Sequence, residues 1–178
     1  MDKYLLLGKE SERLIFRKVK QSDFEAWLPF FQTPLTHQHW NVTVTDPEKE
    51  CLNWIDKQLH RYKNDLGGMN ALIEKSSGKL VGFCGLLIQT VDDQTELEIG
   101  YSLLPGFWGH GYATEAARFC RDYAFKSGFA NHIISIISLP NIPSQRVAKK
   151  NGMQVWKQTV YKGVDVYIFR ITRTEWLN

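Results

Sequence analysis

The chain has 178 residues, 43% hydrophobic and 23% charged, a balance that supports a folded core and excludes an intrinsically disordered segment. Its net charge is +3, from 22 Lys+Arg against 19 Asp+Glu, and the basic residues are scattered apart from Arg146, Lys149 and Lys150, so no basic stripe points to nucleic acid. No stretch is apolar for long enough to cross a bilayer or serve as a signal peptide, and the odd set Cys51, Cys84 and Cys120 reads as reduced thiols of a cytoplasmic protein, not as a disulfide framework or zinc site.

Arg13 to Val19 alternates polar and apolar residues and predicts a strand. Ser22-Asp23 opens a helix to about Phe31, with Pro29 disturbing its end. Thr33 to Thr45, with Pro34, His37 and His39, reads as a loop. Asp46-Pro47-Glu48 supplies an N-cap, a first-turn proline and an acidic follower for a helix that ends near Asn64 and buries Cys51, Trp54, Ile55 and Leu59.

Met69 to Glu74 and Lys79 to Gln89 read as strands joined by the turn Ser76-Ser77-Gly78. Gln94 to Leu103 is another strand, with Leu97, Ile99, Tyr101 and Leu103 on one face and Glu96, Glu98, Gly100 and Ser102 on the other. Pro105 and Gly106 break it. The turn Trp108-Gly109-His110-Gly111 follows, then a helix from about Ala113 to Ser127 that Gly128 ends. Ala113, Ala117, Cys120 and Ala124 recur at helical spacing and let that helix approach a sheet closely. Asn131 to Leu139 reads as a buried strand, and Asn141-Ile142-Pro143 starts a short helix stopping at Asn151-Gly152. Gln154 to Tyr161 and Val164 to Thr172 form a hairpin around Lys162-Gly163. The expected fold is one α+β domain over residues 1–178, with about seven strands, about four helices and a mostly antiparallel sheet.

The glycine turn between a strand and a helix has the physics of an anion site. The first N–H groups of a helix lack internal partners, the peptide dipoles add positive charge there, and glycine lets a phosphate approach the main chain. The same two glycines also suit a plain tight turn. A Walker loop is excluded, since no Lys-Ser or Lys-Thr follows, and so is a dinucleotide fingerprint, which needs a third glycine.

The runs Ile99-Gly100-Tyr101-Ser102-Leu103-Leu104-Pro105 and Trp108-Gly109-His110-Gly111-Tyr112-Ala113-Thr114-Glu115-Ala116 resemble motif A of the GNAT acetyltransferase superfamily, nearest its ribosomal-protein N-terminal (Rim-type) branch. Asn141, Ser144, Arg146, Val147, Lys150 and Asn151-Gly152-Met153 are similar to motif B, and the closing strand pair with Asp165, Glu175 and Trp176 also looks like that branch. The resemblance implies a GNAT-like sheet with splayed central strands and acetyl-CoA as cosubstrate, with no metal. It assigns the CoA pyrophosphate to Gly109, His110, Gly111, Tyr112 and Ala113, with Trp108 and Thr114 beside them. The pantetheine arm falls to Tyr101, Ser102 and Leu103, and Asn141, Ser144 and Arg146 are further cofactor contacts. Trp108 stands where the family usually has Gln or Arg, as is common in the Rim-type branch.

Acetyl transfer to an amine needs a base for the amine proton, a positioned thioester, stabilisation of its carbonyl oxygen, for which a backbone N–H near Leu103 is a candidate, and a proton for the leaving thiolate. Glu98 is the first candidate for the base, against the alternative of an ordinary strand carboxylate, and Glu96 is the spare. The family's usual tyrosine acid falls on Ala148 and is absent, which leaves Ser144 as the candidate acid. Ser144 and Asn141 also suit plain helix-capping roles, Arg146 a solvated one, and His37 and His39 ordinary loop positions. Trp27, Trp40, Trp54 and Trp156 read as core or pocket wall. The expected activity is acetyl transfer from acetyl-CoA to a primary amine, either a protein N-terminus or a small molecule. A CoA-binding module without catalysis is the alternative, and a homodimer stays open.

Overall fold

The computed structural model describes residues 2–178. Its strands are β1 (Leu14–Lys18), β2 (Gly67–Glu74), β3 (Leu80–Val91), β4 (Gln94–Leu103), β5 (His132–Ser138), β6 (Gln154–Tyr161) and β7 (Val164–Thr172). Its helices are α1 (Phe24–Phe31), α2 (Pro34–His37), α3 (Pro47–Lys63), α4 (Tyr112–Lys126), α5 (Ile142–Lys150) and α6 (Arg173–Leu177). The strands form one seven-stranded sheet in the order β1-β2-β3-β4-β5-β7-β6. Every neighbouring pair is antiparallel except β4 and β5. The α+β class and all seven expected strands are present.

Two short helices lie where none was expected. α2 interrupts the predicted loop because Thr33 caps it, accepting from the Leu35 N–H at 3.4 Å, and Pro34 pre-sets the first turn. α6 is started by a reciprocal cap in which Thr172 Oγ1 accepts from the Glu175 N–H at 3.2 Å and Glu175 Oε2 accepts from the Thr172 N–H at 2.7 Å. α3 begins as read: Asp46 Oδ1 accepts from the Lys49 N–H at 3.1 Å, a cap that contributes about 1 kcal/mol. Pro29 sits inside α1 without breaking it.

Each face of the sheet carries its own core. On one, α4 lays Ala116, Ala117, Cys120 and Ala124 against Val81, Cys84, Leu97 and Ile99. The small residues permit the close approach, and the Cys84 and Cys120 sulfurs lie 3.7 Å apart as free thiols. On the other, α1 and α3 cover Ala71 and Phe83 with Trp27, Phe30, Phe31, Cys51 and Ile55. Trp27 is fully buried and stacks on Phe30 at 4.2 Å, so truncation to Ala costs about 3–5 kcal/mol. Trp156 is neither core nor pocket wall. It stands 41% exposed on the edge strand β6, flanked by the Lys157 and Arg170 cations at 4.5 and 4.2 Å. No helix among the described residues is long and apolar enough to cross a membrane.

Candidate active site

β4 pairs with β3 along its whole length, from Gln94 to Leu103. With β5 it pairs only at Glu98 and Ile134, beside the Ser135 hydroxyl, which donates to the Ile99 carbonyl at 2.9 Å. Beyond that point the two strands part and leave a cleft whose walls are Gly100, Tyr101 and Ser102 on one side and Ile137, Ser138, Asn141 and Ser144 on the other. The β4 backbone facing the cleft has no strand beside it, so its polar groups are available to a ligand. The Tyr101 hydroxyl crosses the gap and donates to the Ser144 carbonyl at 2.8 Å. The Ser138 hydroxyl is buried in the cleft wall with no hydrogen-bond partner among the described residues.

At the end of β4 the chain enters the glycine turn. Gly109 and Gly111 have φ of +77° and +82°, the left-handed region where a side chain costs about 1 kcal/mol. A Cβ at Gly109 would meet nothing within 4 Å, so the surface above it is open. Gly111 is the N-cap of α4 and offers no side chain, which leaves the first N–H groups of that 15-residue helix without a side-chain cap. These observations suit a pyrophosphate cradle as well as a structural turn. The turn is braced from behind. Arg13 donates to the His110 carbonyl at 2.9 Å, pairs with the Glu115 carboxylate at 2.7 Å and lies over the Tyr112 ring at 4.1 Å. The Trp108 indole N–H donates to the Leu103 carbonyl at 2.9 Å, tying the turn to the strand end.

Past Glu98 the cleft continues into a cavity, and the two together enclose about 460 Å³. Its far wall comes from the α2–α3 loop (His39 to Val42), from α3 (Trp54, Lys57, Gln58, Arg61) and from the β6–β7 hairpin (Tyr161, Lys162, Val164). The hairpin closes on the loop so tightly that a Cβ on Gly163 would lie 2.8 Å from Asn41 Nδ2. Glu98 stands where cleft and cavity meet. Burial pushes its carboxyl above the ordinary range, while the Gln89 amide, the Ile136 N–H and the cations Arg61 and Lys162 pull the other way without cancelling the shift. Gln89 Nε2 donates to Glu98 Oε2 at 2.7 Å, and the Tyr161 hydroxyl donates to Gln89 Oε1 at 3.2 Å. The hairpin tip thus orients the amide that holds the carboxylate.

The structure brings together Glu98, Tyr101, Ser102, Asn141 and Ser144 in one cleft. Leu103, Trp108, Gly109, His110, Gly111, Tyr112, Ala113 and Thr114 follow at its end, although the Leu103 and Tyr112 side chains turn into the core and only their main chain faces outward. Asn141 also caps α5, its Oδ1 accepting from the Ser144 N–H at 3.3 Å. Two expected residues stand apart. Arg146 is exposed and does not line the cavity, and Glu96 is tied to His132 at 2.6 Å. His39 lines the cavity while His37 does not, and no cluster of metal-ligating side chains occurs among the described residues. Sequence reasoning missed Lys57, Gln58 and Arg61, whose spacing with Trp54 marks one helical face, and it missed Gln89 and Tyr161, which carried no local signal.

Comparison with known proteins places the chain in a family. A family model for the acetyltransferase (GNAT) domain matches residues 13–154. The protein YkkB of Bacillus subtilis is 36% identical over 116 residues, and the match spans 64% of each chain. The uncharacterized N-acetyltransferase p20 of Bacillus licheniformis is 26% identical over 93% of this chain and 96% of its own. Among solved structures, the ribosomal-protein-S5-alanine acetyltransferase of Vibrio fischeri superposes with a TM-score of 0.71 at 19% identity, covering 96% and 98% of the two chains. The spermidine N-acetyltransferase of Vibrio cholerae, in complex with CoA and spermine, does so with 0.73 at 16%, covering 93% and 99%. At such identities these structures share the fold alone.

Proposed function

The chain belongs to the GNAT acetyltransferase family and is an acyl-CoA-dependent N-acetyltransferase, and we propose that Glu98 takes the acceptor's proton while the turn Trp108–Ala113 holds the donor's pyrophosphate. The observation that carries this reading is the continuity of three features: an uncapped helix end, a split between two strands, and a carboxylate where that split opens into a cavity.

Each part has a physical task. The α4 end offers N–H groups and dipole to two phosphates, and Gly109 and Gly111 let them come close. The unpaired edge of β4 from Gly100 to Leu103 holds the extended arm by main-chain hydrogen bonds, as a third strand would. A main-chain N–H near Leu103 receives the charge that builds on the thioester oxygen. Glu98, raised by burial and fixed by Gln89, accepts the proton of the attacking amine directly or through water. Ser144 is the candidate to protonate the leaving sulfur, since Tyr101 already donates its hydroxyl to the Ser144 carbonyl. Burial pushes the Tyr101 phenol up as well, which keeps that donor protonated. The buried free thiols Cys51, Cys84 and Cys120 support a cytoplasmic setting.

The test is a screen of amines for acetyl-CoA-dependent thiol release. The reading expects turnover with at least one class of primary amine. Binding of acetyl-CoA without turnover on a broad panel would leave only a cofactor-binding module.

A further inference from the structure

The cavity walls also carry a charge pattern that bears on the acceptor. Glu98 is the one carboxylate among the lining residues, against the cations Lys57, Arg61 and Lys162. Arg61 is a fixed part of the wall, since its guanidinium donates to the Leu66 and Ile88 carbonyls at 2.9 and 2.7 Å. Lys57, on α3, and Lys162, at the hairpin tip, are different. Both line the cavity with part of the side chain in solvent, and neither is in an ion pair or side-chain hydrogen bond among the described residues. The two ammonium groups feel each other: burial first, then Lys162 and Arg61, hold Lys57 below the ordinary lysine range. Lys57 from the helix and Lys162 from the hairpin, whose ammonium also lies 5.2 Å over the Tyr161 ring, thus share the far wall with Arg61, three cations facing the single carboxylate Glu98.

Resting on the acetyl-transfer reading, we propose that the acceptor is a small primary amine carrying an oxyanion, a carboxylate or a phosphate-type group, which Lys57 and Lys162 hold while the amine faces Glu98. Trp40, Trp54, Met69 and Leu87 add apolar surface that suits a hydrocarbon or aromatic body. The same charges favour the chemistry. A positive surrounding lowers the pKa of an approaching amine and raises its neutral, nucleophilic fraction. A polyamine meets the opposite situation, since its additional cations face three cations and only one carboxylate.

The experiment compares kcat/KM at one acetyl-CoA concentration for four kinds of acceptor: apolar amino acids, their carboxamides, aminoalkyl phosphates and polyamines, with a free-N-terminus peptide alongside. The expected result is that the anionic acceptors exceed the carboxamides and polyamines by about tenfold or more, the ratio given by one lost charge-assisted contact. Preference for the amino acids assigns the oxyanion as carboxylate, and preference for the aminoalkyl phosphates assigns it as phosphate. Lys57→Glu combined with Lys162→Glu should invert the ratio of anionic to cationic acceptors. Because that variant can misfold, the salt response of the wild type is the second readout: KM for the anionic acceptor should rise with ionic strength. Equal or better use of carboxamides, polyamines or the peptide, or a salt-independent KM, overturns the proposal and leaves acetyl transfer standing. No thiol release with any amine overturns both.

Discussion

The Gln89 side chain joins the hairpin tip to the site carboxylate: its amide donates to Glu98 at 2.7 Å and its oxygen accepts from Tyr161 at 3.2 Å. A general base acts in its deprotonated form, so activity rises as pH passes upward through its pKa. Burial raises the Glu98 pKa, and the acid limb of kcat/KM should therefore lie above the ordinary carboxyl range. Gln89→Ala removes a bond that favours the carboxylate, which should move the limb higher still. Glu98→Gln should lower kcat by roughly 10²–10⁴-fold, with acetyl-CoA affinity nearly unchanged. A pH profile that is flat, or that ignores the Gln89 substitution, would remove Glu98 from the mechanism.

Tyr101 and Ser144 tie β4 to α5 across the split. Tyr101→Phe leaves the Ser144 carbonyl without that donor and should cost about 1 kcal/mol in urea unfolding. It should also weaken acetyl-CoA binding, because the arm and the lost tie share one cleft. If CoA affinity stays at the wild-type value, the cleft does not depend on this bridge.

Arg13 and Glu115 predict an acid-dependent stability. Burial pushes the Glu115 carboxyl up, but hydrogen bonds from Ser11 and from the Arg13 main chain and side chain outweigh it, so the folded-state pKa is lowered. A depressed carboxyl stabilises the fold above its unfolded-state pKa, and that contribution disappears as pH falls through the folded value. Glu115→Gln should thus be less stable than wild type near neutrality, by about 1–3 kcal/mol, with the gap closing on acidification. A gap that is constant with pH would contradict this. Arg13→Met, which frees the His110 carbonyl, should raise the acetyl-CoA Kd by about tenfold through a looser turn.

Much of the architecture is legible along the chain because its signals are local. The β6–β7 turn Lys162-Gly163 adopts φ of +47° and +77°, a two-residue hairpin that the flanking alternation announces. Thr33-Pro34 and Thr172-x-x-Glu175 are equally local helix starts, but the helices they open are only four and five residues long, too short to show an apolar period. The donor half of the site reads well for the same reason: strand, glycine turn and helix are contiguous, so one stretch from Ile99 to Ala116 contains the cradle. The acceptor half does not. It is assembled from α3, β3 and β6–β7, whose residues Arg61, Gln89 and Tyr161 meet only after the sheet has placed β5 between β4 and β7. Arg13 is a similar case, lying 97 residues from the His110 carbonyl that it holds.

The central claim is that the turn at Gly109 binds the donor. Asp and Asn both tolerate a left-handed backbone, so Gly109→Asn and Gly109→Asp differ chiefly by one negative charge at the cradle. Calorimetric titration of acetyl-CoA into the wild type and both variants should give saturable binding to the wild type. It should give weaker binding to the Asn protein, and binding to the Asp protein reduced by about a further tenfold, with all three melting alike within a few degrees. Absence of binding to the wild type, or equal affinity in the Asn and Asp proteins, would contradict the account.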